Sequence, residues 1–209
     1  MIDVKAFTVG SLYTNCYLLV DVDSKKMAVV DPGDRCQALI DIIDNIGKDK
    51  LEYVLLTHGH FDHIGYAGIL AKRYNAKICV GKDDKEFLSN NILNLSQYDS
   101  SGVLEPFSAD ILLDDNDIIV LGNTKIKFIC TPGHTVGSGC YIVDDCIFSG
   151  DTLMCESVGR TDFLTGSYRD ISSSLDRLMA LNGDYKVYPG HSSTTTLDHE
   201  RKYNPFIKR

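Results

Sequence analysis

Residues 58–63 read His58-Gly59-His60-Phe61-Asp62-His63, so three imidazoles and a carboxylate fall within six positions of a chain that has six histidines in all. The apolar run Tyr53-Val54-Leu55-Leu56 leads into them and reads as a short buried strand. Ile64, Ala67, Gly68, Leu70 and Ala71 follow with helical spacing. The cluster therefore sits on a strand-to-helix turn, at the carboxyl end of a strand, where layered α/β folds place their sites. Imidazole nitrogen and carboxylate oxygen are donors that borderline divalent ions take. Side chains of an extended segment repeat every two residues, so His58 and His60 point the same way. Asp62 and His63 open the helix and point elsewhere. The spacing predicts two adjacent metal positions.

The same arrangement returns three more times. His134 follows the apolar strand 125–130 in Thr131-Pro132-Gly133-His134-Thr135. Asp151 follows Ile147-Phe148-Ser149-Gly150, and His191 follows Val187-Tyr188-Pro189-Gly190. Each candidate stands just past a β-run and beside a glycine that lets the backbone turn sharply. A lone loop histidine is more often an exposed or hydrogen-bonded residue than a ligand. Five of the six histidines share the pattern, however, and only His199 stands outside it. Recurrence argues for one shared site.

These motifs resemble the ordered motifs of the metallo-β-lactamase superfamily. They are Thr57-His58-Gly59-His60-Phe61-Asp62-His63-Ile64-Gly65, Pro132-Gly133-His134-Thr135, Phe148-Ser149-Gly150-Asp151-Thr152 and Tyr188-Pro189-Gly190-His191. The likeness runs from Asn15-Cys16-Tyr17 and Asp31-Pro32-Gly33 to the tail at 201–206. Within the superfamily, Val158-Gly159-Arg160-Thr161-Asp162-Phe163 and Asn204-Pro205-Phe206 resemble segments of the short glyoxalase II-like (hydroxyacylglutathione hydrolase-like) proteins. The resemblance implies that His58, His60 and His134 bind a first divalent ion and Asp62, His63 and His191 a second. Asp151 would bridge them, where the best-known lactamases carry cysteine and the thioesterase-like and nuclease-like branches carry aspartate. Zinc is the ion first expected, with iron or manganese as alternatives.

Two ions held about 3.5–4 Å apart share a water and present hydroxide near neutral pH. The implied function is hydrolysis by a metal-bridging hydroxide, with Asp62 as ligand and also as the group orienting that hydroxide. No proton donor for a poor leaving group is evident in the motifs. A thiolate leaves without prior protonation, since free thiols titrate near about 8.5; an amide nitrogen does not. Small-molecule thioesters or other activated esters are therefore expected over lactams and peptides. Full-length glyoxalase II carries a further helical domain for glutathione, and this sequence ends at Arg209, so glutathione thioesters are expected to be poor substrates. The alternative is a persulfide dioxygenase-like oxidoreductase with a single iron on His58, His134 and Asp151. A non-catalytic relic is disfavoured because all seven ligand positions are filled.

The net charge of −8, with no basic run longer than Lys25-Lys26 or Lys72-Arg73, argues against nucleic acid as a partner. No apolar run approaches the length of a membrane span. The amino terminus begins in a strand without a signal-peptide profile, so a soluble, cytoplasmic protein acting on a small molecule is expected. The seven cysteines contain no Cys-x-x-Cys pair and read as reduced, apolar packing residues. Cys155, four residues past Asp151, is the one cysteine placed to line the pocket, with a structural role as the favoured reading.

Strands are predicted at 2–8, 16–22, 27–30, 53–56, 77–80, 117–121, 124–130, 139–143, 146–149 and 186–188. Helices are predicted near 35–46, 63–74 and 168–181. Periodicity alone gives mixed α and β content. The resemblance implies an α/β fold, an αββα four-layer sandwich in one domain spanning 1–209, with β-rich halves at about 1–105 and 106–209. Residues 89–108, rich in Asn, Ser and Asp, read as a long connector that overhangs the site or is simply solvated. Thr57, Thr135 and Asp31 occupy places where the family orients its ligand histidines, with a turn or helix-entry role before Pro32-Gly33 an equal reading for Asp31. Arg160 and Tyr168 are candidates to meet an anionic substrate, with an Arg160–Asp162 salt bridge as the plainer reading. His199 is expected to be structural.

Overall fold

The computed structural model describes residues 1–99 and 102–207; Ser100 and Ser101, in the expected connector, and Lys208 and Arg209 lie outside them. Two six-stranded sheets form the centre. The first holds β1 (Ile2–Val9), β2 (Thr14–Asp21), β3 (Met27–Val30), β4 (Leu51–Leu56), β5 (Lys77–Gly81) and β6 (Ile111–Leu113), in that spatial order. The second holds β7 (Ile118–Leu121), β8 (Thr124–Cys130), β9 (Gly139–Val143), β10 (Cys146–Gly150), β11 (Lys186–Pro189) and β12 (Thr195–Thr196), again neighbour by neighbour. Short connections join antiparallel neighbours, whereas parallel neighbours need a crossover. Accordingly α1 (Gln37–Ile46) lies between parallel β3 and β4, and α2 (Phe61–Ile64) with α3 (Ala67–Tyr74) between parallel β4 and β5. In the second sheet α4 (Tyr168–Met179) links parallel β10 and β11, and α5 (Leu197–Tyr203) follows β12.

Strand periodicity sorts the layers. On β2, Cys16, Leu18 and Val20 pack with Leu39 and Ile43 of α1 and Leu70 of α3. The alternate residues Tyr17 and Leu19 face Phe128, Tyr141 and Phe148 of the other sheet. On that sheet Ile129, Cys140, Ile147 and Val187 turn outward to Leu175 and Leu178 of α4 and Leu197 of α5. Nearly every central-strand residue is buried on one face or the other, and the result is the four-layer αββα sandwich.

Three details differ from the sequence expectation. The helix expected at 63–74 is two helices: the Tyr66 N–H leaves the helical pattern to bond the Pro32 carbonyl at 2.9 Å, which turns the chain between them. Strands β6 and β12 were too short for a period to register, and through β6 the first sheet continues past residue 105 to Leu113. Cys79 is buried between the sheets, but Cys130 and Cys146 stand at strand ends and are only half-buried. No helix among the described residues is long and apolar enough to cross a membrane.

Candidate metal centre

Four strands deliver the candidate ligands. His58 lies just beyond β4 of the first sheet; His134, Asp151 and His191 follow β8, β10 and β11 of the second. Cross-sheet hydrogen bonds bring these ends together. Asn15 N–H donates to the Gly190 carbonyl at 2.7 Å, Tyr17 Oη to Pro189 at 2.6 Å, and Gly139 N–H to Thr57 at 2.9 Å. Glycine backbone then packs directly on the ligands. A Cβ on Gly190 would stand 2.2 Å from Asp151 Oδ1 and 2.6 Å from His63 Cε1.

The seven sequence-derived positions converge. Donor atoms of His58, His60 and His134 lie within 4.8 Å of one another, as do those of Asp62, His63 and His191, and those of His58, His63 and Asp151. Asp151 stands between the two triads: its Oδ1 is 3.5 Å from His63 Nε2, while its Oδ2 is 3.5 Å from His134 Nε2 and 3.7 Å from His191 Nε2. Asp62 Oδ2 lies 3.2 Å from His191 Nε2 and 3.4 Å from His63 Nε2.

Hydrogen bonds on the far side of each ring choose its free nitrogen. His63 Nδ1–H donates to Asp31 Oδ2 at 2.9 Å, and His134 Nδ1–H to the Arg160 carbonyl at 2.7 Å. Thr57 Oγ1 gives its proton to Asp31 Oδ2 at 2.6 Å and so accepts from His58 Nδ1–H at 3.1 Å. These bonds commit Nδ1, so on all three rings Nε2 is the nitrogen turned to the centre. His60 reverses the pattern and aims Nδ1 at His134 Nε2, 2.9 Å away, a pair of nitrogens that needs a proton or a cation between them. Among the described residues three buried side-chain atoms have no hydrogen-bond partner: His58 Nε2, His63 Nε2 and Asp151 Oδ1. Such orphans cost free energy unless something fills the space they face. Their N/O character suits zinc, iron or manganese, so the residues fit the implied ions.

Electrostatics agree. Burial and neighbouring imidazoles hold His58 well below the ordinary histidine value and His60 down at about 3; burial also lowers His134. These rings are neutral, the form that ligates metal. Around His63 burial opposes charge, but Asp62, Asp151 and Asp31 overcome it and raise the ring to about 10. Burial likewise works against ionised Asp62, yet His63, His191 and the Thr14 hydroxyl keep it below the usual carboxylate range. Asp62 and Asp151 flank His63 Nε2 while Asp31 holds Nδ1 on the other side, so the carboxylates favour positive charge at this ring and at the centre it faces.

Several neighbours were not legible in the sequence. Thr14 Oγ1 donates to Asp62 Oδ2 at 2.8 Å. Asp84, fully buried, accepts from Gly59 N–H at 2.8 Å, Gly137 N–H at 2.7 Å and Thr135 Oγ1 at 2.7 Å, tying the His58–His60 turn to the His134 turn. Its setting, Lys82-Asp83-Asp84-Lys85, reads as a solvated charge run. Thr135 thus serves Asp84 and Ser138, not a ligand histidine as expected. Asp31 and Thr57 do orient histidines. Arg160 is bound by Asp162 through two hydrogen bonds of 2.9 and 2.8 Å. Tyr168 is exposed and lines a neighbouring depression with Arg160 and Phe206. Met154 faces the metal cleft while Cys155 lies by His199 and Glu200. Glu200 is occupied there, accepting from Thr195, Asn204 and the Glu156 N–H.

The Lactamase_B family model, described as the metallo-beta-lactamase superfamily, matches residues 9–191 and so takes in all seven candidate ligands. The chain belongs to the metallo-β-lactamase superfamily. Its relatives include the hydroxyacylglutathione hydrolase GloC of Haemophilus influenzae, 32% identical over 98% of both chains. Among solved structures it is similar to BLEG-1, a B3 metallo-β-lactamase, with a TM-score of 0.91 and 30% identity over 99% of this chain and 100% of that one. It is similar also to TTHA1623, solved in a di-iron-bound form, with a TM-score of 0.84 and 28% identity over 97% and 100% of the two chains. As a member of this superfamily the protein is a metal-dependent hydrolase with a His-rich site for divalent metal.

Proposed function

We propose that the protein is a two-metal thioesterase, with His58, His60 and His134 holding one ion, Asp62, His63 and His191 the other, and Asp151 spanning both. One observation carries this reading: the unpartnered buried atoms belong to both triads and to the aspartate between them. When bound, the ions supply a water-derived nucleophile at neutral pH and polarise the scissile carbonyl. The rest falls to the chain. Asp62, held by Thr14 and His191, faces the cleft and is placed to orient an attacking water by accepting a hydrogen bond from it. Asp31, Thr57 and the Arg160 carbonyl lock the rings in the tautomers the ions need.

The leaving group narrows the substrate. Apart from the ligands themselves, Arg160 is the only titratable residue among those described around the cleft, so no side chain stands ready to protonate a departing amine. A thiolate leaves without that help. The GloC relative supports a thioester, whereas similarity to BLEG-1 makes a β-lactam the necessary competitor. The test is metal content of protein purified without added metal, followed by rates on a thioester panel, a chromogenic cephalosporin and a persulfide with oxygen uptake. Two ions per chain and thioester hydrolysis, abolished by Asp62→Ala and Asp151→Ala, are expected. One iron per chain with persulfide-dependent oxygen consumption, or cephalosporin as the best substrate, would overturn the proposal.

A further inference from the structure

The cleft over the ligands has a volume of about 330 Å³, and its walls are unlike its floor. The floor is imidazole and carboxylate; the walls are Leu12, Phe61, Leu95, Met154, Val158 and Phe163. Phe163 sets its ring edge-on to His60 and His134, with centroids 5.2 and 5.9 Å apart, so apolar surface begins directly beside the ligands. Arg160 is the one cation on the rim among the described lining residues. It lies over the Phe163 ring at 4.4 Å and is already bound by Asp162.

Leu95 shows that part of this wall is built against the backbone's preference. Its φ of 66° is left-handed, a conformation that a bulky residue without a polar side chain seldom adopts. Asn94 imposes it. Fully buried, it donates from Nδ2 to the Phe87 carbonyl at 2.8 Å, accepts from Ser96 N–H at 2.9 Å, and through its own carbonyl accepts from Phe61 N–H at 2.8 Å. The connector is thereby fastened to the helix that carries Asp62 and His63, with a leucine presented to the cleft where glycine would fit the backbone better.

We infer that this apolar wall is an acyl pocket, and that the preferred thioesters carry a hydrocarbon acyl chain of several carbons and not a small hydroxylated acyl group. The inference rests on the thioesterase reading for its chemistry. The two arms of a thioester are distinguished by what they become. The sulfur arm departs as an anion, which apolar walls disfavour and the open mouth accommodates. The acyl arm keeps no charge until water has attacked, so its chain is the part that gains from contact with Leu12, Leu95 and Phe163.

The test uses the metal-loaded enzyme and neutral N-acetylcysteamine thioesters from acetyl to octanoyl. On the wild type, kcat/KM is expected to rise about two- to fourfold per added methylene over the first several carbons, following the transfer free energy of a buried CH₂. In Leu95→Gly, which relieves the left-handed backbone and so spares the fold, the gain per methylene is expected to fall below about 1.5-fold. A flat or falling length profile, or a Leu95→Gly profile as steep as the wild type, overturns the pocket while leaving the thioesterase standing. In parallel, ketone analogues with CH₂ in place of sulfur are titrated by calorimetry. Affinity that climbs with chain length when no thioester is hydrolysed keeps the pocket and removes the thioesterase. Affinity indifferent to length removes the pocket.

Discussion

Asp31, just past β3, reaches His63 on α2: its Oδ2 lies 2.9 Å from the ring's Nδ1, and both side chains are almost wholly buried. The same oxygen accepts from Thr57 Oγ1, and Oδ1 accepts from Thr57 N–H at 2.8 Å. One carboxylate therefore orients His63 directly and His58 through Thr57. Asp31→Ala leaves three buried donors unsatisfied and both rings free to turn. Metal affinity, measured by competition with a chromophoric chelator, is expected to fall about 10- to 100-fold with far-UV circular dichroism unchanged. The control is Asp23→Ala, an exposed position in the turn between β2 and β3, expected to leave affinity within twofold. An Asp31→Ala affinity equal to the wild type would mean that packing alone holds the rings.

The candidate ligands His134, Asp151 and His191 could be picked out in the sequence because each obeys a local rule, a β-run, a glycine, then a donor side chain, and those of 58–63 because four donors crowd one turn. The central strands could be read for a similar reason, since burial on both faces makes them continuous apolar runs. Asp84 escaped because its partners Gly59, Thr135 and Gly137 are distant in sequence and its immediate neighbours are charged. Leu95 escaped because nothing in a polar connector announces a left-handed leucine; its conformation is set by Asn94 bonding to Phe87 and Phe61. The break between α2 and α3 depends likewise on a backbone bond to Pro32, some thirty residues earlier. Sequence pattern captured what one segment dictates, and missed what two segments settle between them.

Gly190 offers a sharper check on the geometry. A methyl group there would stand 2.2 Å from Asp151 Oδ1, closer than any non-bonded carbon and oxygen can sit, and 2.6 Å from the His63 ring. Gly190→Ala must push the carboxylate or the ring off its position. Because the clash falls on the centre and not on the core layers, the variant is expected to fold but to bind at least about tenfold less metal at a fixed buffered zinc concentration, in line with other perturbations around metal ligands. Elemental analysis after gel filtration reads this directly. Full occupancy would place Asp151 elsewhere than described.

Metal removal tests how far the fold depends on its ions. The three hydrophobic clusters pack sheet on sheet and helix on sheet, and none includes a candidate ligand. The chelated protein is expected to keep its secondary structure. It loses the stabilisation that ions confer on the folded state, about 4 kcal/mol for a site at a thousand times its Kd. For a domain of this size that corresponds to a Tm lowered by about 8–16 °C. Calorimetry before and after chelation, with recovery on adding zinc, measures it. A chelated protein without a cooperative transition would show instead that the ions are needed to fold.

Asp84 predicts a pH signature separable from that of the ligands. Burial raises its carboxyl to about 6 despite three donors, whereas in the unfolded chain it titrates near 3.8. Between those values the folded state holds a proton that the unfolded state has released. The folded state's relative stability therefore falls as pH rises from about 4 to about 6, and is level above that. Asp84→Asn cannot titrate, and its amide sets an N–H against a backbone donor, so it is less stable by an amount independent of pH. The stability gap between wild type and variant should narrow as pH rises through this window, by on the order of 3 kcal/mol. Urea unfolding of both metal-free proteins at pH 4, 5, 6 and 7 gives the gap, and titrations common to both, the ligand histidines included, cancel in the difference. A gap constant with pH would show that Asp84 stays charged throughout and that its three donors outweigh its burial.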